Sequence, residues 1–198
     1  EQVVEWRDAR VAGPLPEVRY QDYGLIYEVP GLYERIVYAV LRCASPETVC
    51  GLLANELEAE DLDGSDLRVL DLGAGNGIMA EELRRIGVGH VVGLDLLPEA
   101  ALAARRDRPE VYDDYVVVDL TELPKGEEER LEASRLDCLV TAAALGFGDI
   151  PPEAFATAFN LIATKGWLAM TIKEDFLDPH GDDSGFARLL RSLIGTGI

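Results

Sequence analysis

Basic side chains are scarce in this sequence. Its 198 residues include 18 Lys and Arg against 37 Asp and Glu, and the formal net charge is −19. Only three of the bases are lysines: Lys125, Lys165 and Lys173. Because attraction to phosphate dominates the affinity of proteins for nucleic acids, a chain this acidic repels that class of partner. We therefore expect no nucleic-acid substrate.

Long apolar runs and a leader pattern are missing as well. No stretch approaches the run of about 20 apolar residues that crosses a bilayer. The opening "EQVVEWRDAR" has neither the basic nor the apolar region of a signal peptide. We expect no membrane association and a cytoplasmic location. The length and the 48% hydrophobic content predict a single domain over residues 1–198.

Cysteine and histidine, common ligands of metals, are few. The three cysteines, Cys43, Cys50 and Cys138, have no CxxC spacing and lie among apolar residues, which favours reduced, buried thiols. His180 lies among aspartates in "FLDPHGDD", but their spacing matches no EF-hand loop. We expect no disulfide and no metal site.

Short apolar runs alternate with helical patterns from Leu67 onward. We predict that five strands begin near Arg68, His90, Tyr115, Leu136 and Trp167. Strands that alternate with helices are typical of a parallel α/β sheet. Residues 1–60 have a mainly helical pattern and form a predicted lead-in and lid, whereas residues 66–198 form the predicted α/β core.

The run "VLDLGAGNG", residues 69–77, is the first candidate binding element. Its glycines allow a ligand to approach bare backbone at the end of a strand. The dinucleotide fingerprint GxGxxG requires a third glycine at position 78, which is Ile78. Asp71, at the carboxyl end of the same strand, repels a pyrophosphate and attracts an ammonium group. The pattern therefore favours a ligand that carries a cation.

Two further acids, Asp95 and Asp119, follow the next two predicted strands, and successive acids are 24 residues apart. An acid after the second strand can accept from the hydroxyls of a ribose, and one after the third can accept from the amine of adenine. An ammonium, a ribose and an adenine together describe S-adenosylmethionine. Each acid alone is also compatible with a helix cap or a solvated strand end.

These motifs resemble those of class I S-adenosylmethionine-dependent methyltransferases, from about Tyr20 to Ile172. "VLDLGAGNG", "VVGLDLLPEA", "DYVVVDLTEL", "LDCLVTAAAL" and "NLIATKGWLAM" are similar to motifs one to five of that family. Through "GFGDIPPEAF" the chain also resembles small, stand-alone methyltransferases of the Williams–Beuren-region type. The resemblance implies a Rossmann-like fold with helices on both faces of the sheet, and we predict the strand order 3-2-1-4-5 with right-handed crossovers.

The resemblance also implies a set of cofactor-binding residues. The glycine turn would lie against the methionine portion, Asp95 would hold the ribose, Asp119 and Leu120 the adenine, and Thr141 would meet the sulfonium. The predicted cofactor-binding residues are Asp71, Gly73, Ala74, Gly75, Gly77, Asp95, Leu96, Asp119, Leu120, Thr141, Tyr20, Tyr23 and Tyr27.

The three tyrosines belong to "YQDYGLIYE", which resembles an aromatic opening segment of such enzymes. Tyrosines there can close over the cofactor, and an aromatic face suits a sulfonium cation. The alternative is that they only pack the N-terminal helices onto the sheet.

The expected reaction is methyl transfer to a small-molecule acceptor, with S-adenosylhomocysteine as product. No dedicated nucleophile is required, and His180 is the candidate general base, although a solvated loop histidine is the alternative. The alternatives are an aminopropyltransferase-like enzyme and a non-catalytic S-adenosylmethionine-binding protein. Ile78 and Asp71 argue against a nicotinamide-dependent oxidoreductase.

The sequence ends after a last helical pattern, where the family normally adds a C-terminal β-hairpin. The fifth strand, "GWLAMTI", is therefore expected to be an open edge, or the sequence is truncated. An apolar edge can pair with another chain, so we expect homo-oligomers through this strand.

Overall fold

The computed structural model describes residues 22–145, 149–177 and 184–195. Five strands form one sheet: β1 (Arg68–Leu72), β2 (His90–Asp95), β3 (Asp114–Val117), β4 (Cys138–Thr141) and β5 (Trp167–Met170). All neighbouring pairs are parallel, and the order is β3-β2-β1-β4-β5. The predicted strand order is therefore confirmed. β4 begins two residues after the predicted Leu136, and the side chain of Asp137, just before the strand, accepts from the Arg68 amide.

Eight α-helices are described. They are α1 (Tyr23–Glu28), α2 (Leu32–Glu34), α3 (Ser45–Ala59), α4 (Ile78–Arg85), α5 (Pro98–Asp107), α6 (Lys125–Ala133), α7 (Pro152–Asn160) and α8 (Phe186–Gly195). A π-helix over Arg35–Val40 continues α2, and short 3-10 helices cover Gly64–Asp66, Leu120–Glu122 and Glu174–Leu177. Proline stands in the first turn of α3, α5 and α7, where its missing N–H costs nothing.

The sheet is buried on both faces, which explains its near-continuous apolar strands. Along β1, Leu70 packs with Phe155 of α7 and Phe186 of α8 on one face. On the other face, Val69 packs with Leu53 of α3 and Leu83 of α4. Helices therefore cover both faces, as predicted, and the ends of the strands are left for the site.

The outer strands of the described sheet are β3 and β5. Association of two chains through β5 stays a prediction. Within the described ranges, no single helix is long and apolar enough to span a membrane; only Leu32–Val40 and Ser45–Ala59 taken together pass that test, and they meet at 74°.

Candidate functional site

The glycine turn between β1 and α4 has a backbone that few other residues could adopt. Gly73 has φ +75° and Gly75 has φ +54°, both in the left-handed region. A Cβ on Gly75 would lie 2.6 Å from the hydroxyl oxygen of Tyr27, and one on Gly73 would lie 3.0 Å from the Cβ of Ala144. The turn is thus bare because Tyr27 of α1 and Ala144, after β4, approach it closely.

A cavity of about 400 Å³ opens beside this turn, at the carboxyl ends of the strands. Its volume is within the range of small-molecule sites. The predicted residues that line it are Tyr23, Tyr27, Gly73, Asp95, Leu96, Asp119 and Leu120. Predicted residues outside its lining are Asp71, Ala74, Gly75, Gly77 and Thr141. Tyr20 and His180 lie outside the described residues, so their roles stay predictions.

Asp95, the last residue of β2, ties the glycine turn to the second strand. Its Oδ2 accepts from the Gly75 amide at 2.9 Å, and its Oδ1 accepts from the Leu97 amide at 2.9 Å. Burial raises the pKa of this carboxyl, although the backbone hydrogen bonds oppose the shift. Because each carboxylate oxygen can accept a second bond, Asp95 can also bind a ligand hydroxyl from the cavity.

Asp119 is exposed and caps the 3-10 helix that follows β3. Its Oδ1 accepts from both the amide and the hydroxyl of Thr121, at 2.8 and 2.7 Å, and these bonds lower the pKa of the carboxyl. The helix-cap alternative is therefore present here. Both bonds go to one oxygen, so the cap leaves Oδ2 able to accept from a ligand amine.

Asp71 lies deeper than the other two acids, with only 1% of its surface exposed. It lines a second, smaller cavity of about 30 Å³, which shares Tyr33, Gly73 and two alanines with the main one. Its Oδ2 accepts from the hydroxyl of Tyr112 at 2.7 Å. Burial raises the pKa of Asp71 to about 7 against the opposing effect of that bond. We call this smaller cavity the recess.

Strand register explains why the three acids differ in depth. Asp71 pairs with Gly93, two residues before Asp95, and Asp95 pairs with Val117, two residues before Asp119. Each acid therefore lies two residues further along its strand direction than the one before, a step of about 6.6 Å. The acids form a staircase from the buried recess to the open rim.

Three tyrosines of the N-terminal helical segment lie against the turn and the cavity. Tyr27 is 6% exposed, lies between Tyr23 and Tyr33 with ring centroids at 6.4 and 4.9 Å, and packs on Ala100 and Ala103 of α5. All three tyrosines line the main cavity. Tyr27 therefore packs on α5 and also faces the cavity, and its closure over a cofactor stays a prediction.

Sequence reasoning missed a tyrosine pair beneath the turn. Tyr115 donates to the Gly75 carbonyl at 2.8 Å, and its ring meets that of Tyr112 edge-on at 5.1 Å. A Cβ on Gly93 would lie 2.9 Å from each ring, so that glycine makes room for them. A glycine inside the otherwise branched strand "HVVGLD" was the available signal of a close approach.

The end of β4 offers the cavity no functional side chain. Thr141 is fully buried, and its hydroxyl has no hydrogen-bond partner among the described residues. Ala142 and Ala143 line the cavity in its place. Ala143 has φ +54°, and its amide donates to the hydroxyl of Thr171 at 2.8 Å, which holds the strained loop. The predicted contact of Thr141 with a sulfonium stays a prediction.

No group of three metal-ligating side chains comes together in the part of the chain that the structure describes. The cavity is instead lined by carboxylates, tyrosines and apolar groups. Its charged side chains are Asp22, Asp95, Asp119 and Asp149, and no Lys, Arg or His belongs to its described lining. Such a site attracts cationic ligands, accommodates neutral ones and repels anions.

Curated relatives of this chain are methyltransferases. It is 30% identical over 125 residues to the mitochondrial ubiquinone biosynthesis O-methyltransferase of Candida albicans, covering 60% of this chain and 36% of that protein. It is 32% identical over 152 residues to the ribosomal protein L11 methyltransferase of Vibrio cholerae, covering 69% of this chain and 48% of that protein. The chain thus spans less than half the length of either relative.

Fold comparison agrees. A structure of an S-adenosylmethionine-dependent methyltransferase from Clostridium acetobutylicum matches with a TM-score of 0.52 at 15% identity, covering 73% of this chain and 56% of that one. The model of the family described as "Methyltransferase domain" matches residues 45–191, which include the glycine turn and the whole sheet. The chain therefore belongs to the methyltransferase-domain family, and its fold is that of the S-adenosylmethionine-dependent methyltransferase structure it matches.

Proposed function

We propose that this chain transfers a methyl group from S-adenosylmethionine to a small-molecule acceptor. The observation that carries the proposal is the main cavity, whose wall includes Gly73 of the glycine turn and Asp95, which accepts from the Gly75 amide. Family membership supports methyl transfer over the aminopropyl alternative.

The residues present fit this cofactor. Asp95 would hold the ribose hydroxyls, and Asp119 with Leu96 and Leu120 would hold the adenine, since all four line one cavity. The methionine end would reach the recess, where Asp71 suits an ammonium group. When bound, S-adenosylmethionine supplies an activated methyl group on a sulfonium.

The chain's own task is then mainly to position the acceptor and to exclude water. Tyr23, Tyr27 and Tyr33 shield the cavity from one side, and Ile150 and Pro151 border it after β4. Holding a nucleophile in line with the bond that breaks is worth up to roughly 7–11 kcal/mol in favourable cases. An amine with a free lone pair needs no dedicated base, whereas a phenol must also lose its proton, to solvent or to a carboxylate of the lining.

The charge of the cavity favours neutral or cationic acceptors. Asp149 lines it beside the segment after β4, and burial raises the pKa of this carboxyl. A carboxylate or phosphate on the acceptor would meet four aspartates and no counter-charge in the described lining. We therefore propose an amine, a phenol or a similar uncharged or positive molecule as acceptor.

Two measurements test the proposal. Calorimetry should detect binding of S-adenosylmethionine and S-adenosylhomocysteine but not of NAD; binding of NAD alone would overturn it. A panel of acceptors with labelled methyl donor then tests the acceptor class, with amines, phenols and carboxylates as separate arms. Ribosomal protein L11 forms a further arm, because the Vibrio relative is named as its methyltransferase. Methylation of L11 and of no small molecule in the panel would refute a small-molecule acceptor.

A further inference from the structure

Residues 23–40, which hold α1, α2 and the π-helix, form a unit that we call the lid. Its buried side chains Ile26, Leu32, Ile36 and Val37 make a small core of their own, separate from the two cores of the sheet. The lid supplies tyrosines to the main cavity. Its attachment to the rest of the domain therefore decides whether the cavity is covered.

A polar junction attaches the lid to the glycine turn. Oε1 of Glu34, in α2, accepts from the side-chain amide of Asn76 at 2.6 Å and from Nη1 of Arg108 at 2.9 Å. The same Arg108 nitrogen donates to the Asn76 carbonyl at 3.3 Å, and Arg108 Nε donates to Glu81 at 2.7 Å. We call Glu34, Asn76 and Arg108 the junction.

The junction contacts the glycine turn at its centre, through Asn76. Asn76 stands between Gly75 and Gly77 and is 1% exposed. If the lid moved away, the Asn76 amide would lose its 2.6 Å bond and keep only a 3.4 Å contact to Asp107. A buried donor without a good partner is costly, so the turn would have to rearrange.

The Glu34 carboxylate also depends on the contacts of the junction. Oε2 of Glu34 is buried without a hydrogen-bond partner among the described residues, so the carboxylate depends on the bonds to Oε1. On the domain side, Arg108 is 15% exposed, and it would lose Glu34 and keep Glu81 if the lid moved away; a largely buried charge that loses a partner is unfavourable. The closed position of the lid and the observed conformation of the glycine turn therefore stabilise each other.

We propose that Glu34 is a positioning residue that acts through Asn76: it couples closure of the lid to the shape of the glycine turn, so that cofactor binding and lid ordering are cooperative. This inference rests on the proposed function, because the ligand that binds against the glycine turn is taken to be S-adenosylmethionine or its product. Because coupling free energies are reciprocal, a bound ligand stabilises the closed lid by the same free energy by which the closed lid increases ligand affinity.

The test is a double-mutant cycle of Glu34→Gln and Asn76→Ala, read by S-adenosylhomocysteine affinity and by hydrogen exchange of residues 23–40. In the wild type, S-adenosylhomocysteine should slow exchange in the lid. Either single variant should bind about tenfold more weakly and lose that slowing. The double variant should bind no more weakly than Asn76→Ala alone, because the Asn76 amide through which Glu34 acts on the turn is already gone.

Glu47→Gln is the matched control, since Glu47 is an exposed acid on the neighbouring α3; it should leave both readouts unchanged. Additive losses in the double variant, or lid exchange that does not respond to ligand in the wild type, would overturn the coupling. If the wild type binds no S-adenosylhomocysteine, the proposed function fails. Exchange in the ligand-free protein then still distinguishes the two failures, since Asn76→Ala should speed lid exchange there if the junction holds.

Discussion

Asp71 predicts a pH dependence of cofactor affinity. Its pKa is about 7 in the ligand-free protein, because the carboxyl is buried in the recess. Pairing with the ammonium of S-adenosylhomocysteine requires the ionised form, which is about one tenth of the population at pH 6 and nine tenths at pH 8. Affinity should therefore rise about tenfold from pH 6 to pH 8, equivalent to about 1.4 kcal/mol.

The same carboxyl should affect stability with the opposite sign. Its folded pKa of about 7 lies above the ordinary value of 3.8, so between these values the unfolded chain binds fewer protons than the folded one. Stability then falls as pH rises through that window, by on the order of 4 kcal/mol in total. Asp71→Asn keeps an acceptor for Tyr112 without the charge, and we expect it to raise Tm at pH 8 more than at pH 5.

Calorimetric titrations with S-adenosylhomocysteine at pH 6, 7 and 8 test the affinity, and thermal melts over the same range, extended to pH 5, test the stability. Asp71→Asn should bind more weakly than the wild type at pH 8 and lose the pH dependence between 6 and 8. If the wild-type affinity is flat over this range, or if both proteins have the same profile, Asp71 does not pair with the ammonium. A variant that melts lower than the wild type at pH 8 would contradict the stability argument.

Three further substitutions address neighbouring contacts. Asp95→Ala should weaken S-adenosylhomocysteine binding more than tenfold in calorimetry, since charge-assisted bonds contribute about 1.5–3 kcal/mol, whereas Asp66→Ala at the opposite end of the sheet should not; equal affinities would refute the ribose assignment. Gly75→Ala should lower Tm and abolish binding, because its Cβ would lie 2.6 Å from the Tyr27 hydroxyl; an unchanged Tm would show that Tyr27 moves freely. Tyr112→Phe removes the hydrogen bond that lowers the pKa of Asp71, so the midpoint of the pH dependence of S-adenosylhomocysteine affinity should move to higher pH. A midpoint that stays or falls would contradict this.

The sheet could be predicted from sequence because its strands are buried on both faces and separated by helical patterns. Runs such as "LRVLDL" and "HVVGLD" have apolar residues at adjacent positions rather than only at alternate ones, as expected for strands covered on both faces. The helix starts carried proline at their first turn. Family motifs then gave the strand order, which apolar patterns alone do not specify.

The depth of each acid could not be predicted from the 24-residue spacing. Spacing counts residues along the chain, whereas depth depends on strand register, and neighbouring strands here pair with an offset of 22 residues, as Asp71 with Gly93 and Asp95 with Val117. The difference of two residues recurs at each strand and produces the staircase. The junction was also beyond prediction, since Glu34 and Asn76 are 42 residues apart and meet only after the lid folds.

The staircase also constrains the ligand. Asp71 is 1% exposed, Asp95 is partly buried and Asp119 is exposed, and the two steps between them add about 13 Å along the strand direction. A single molecule that contacts all three acids must be extended. Its cationic group is best placed next to Asp71, where the interaction with a carboxylate is least screened by solvent. Its hydrogen-bond donors of lower charge belong further out. S-adenosylmethionine, with its ammonium, ribose and adenine in that sequence, has this order of groups, so the depth gradient supports the same orientation that the individual contacts suggest.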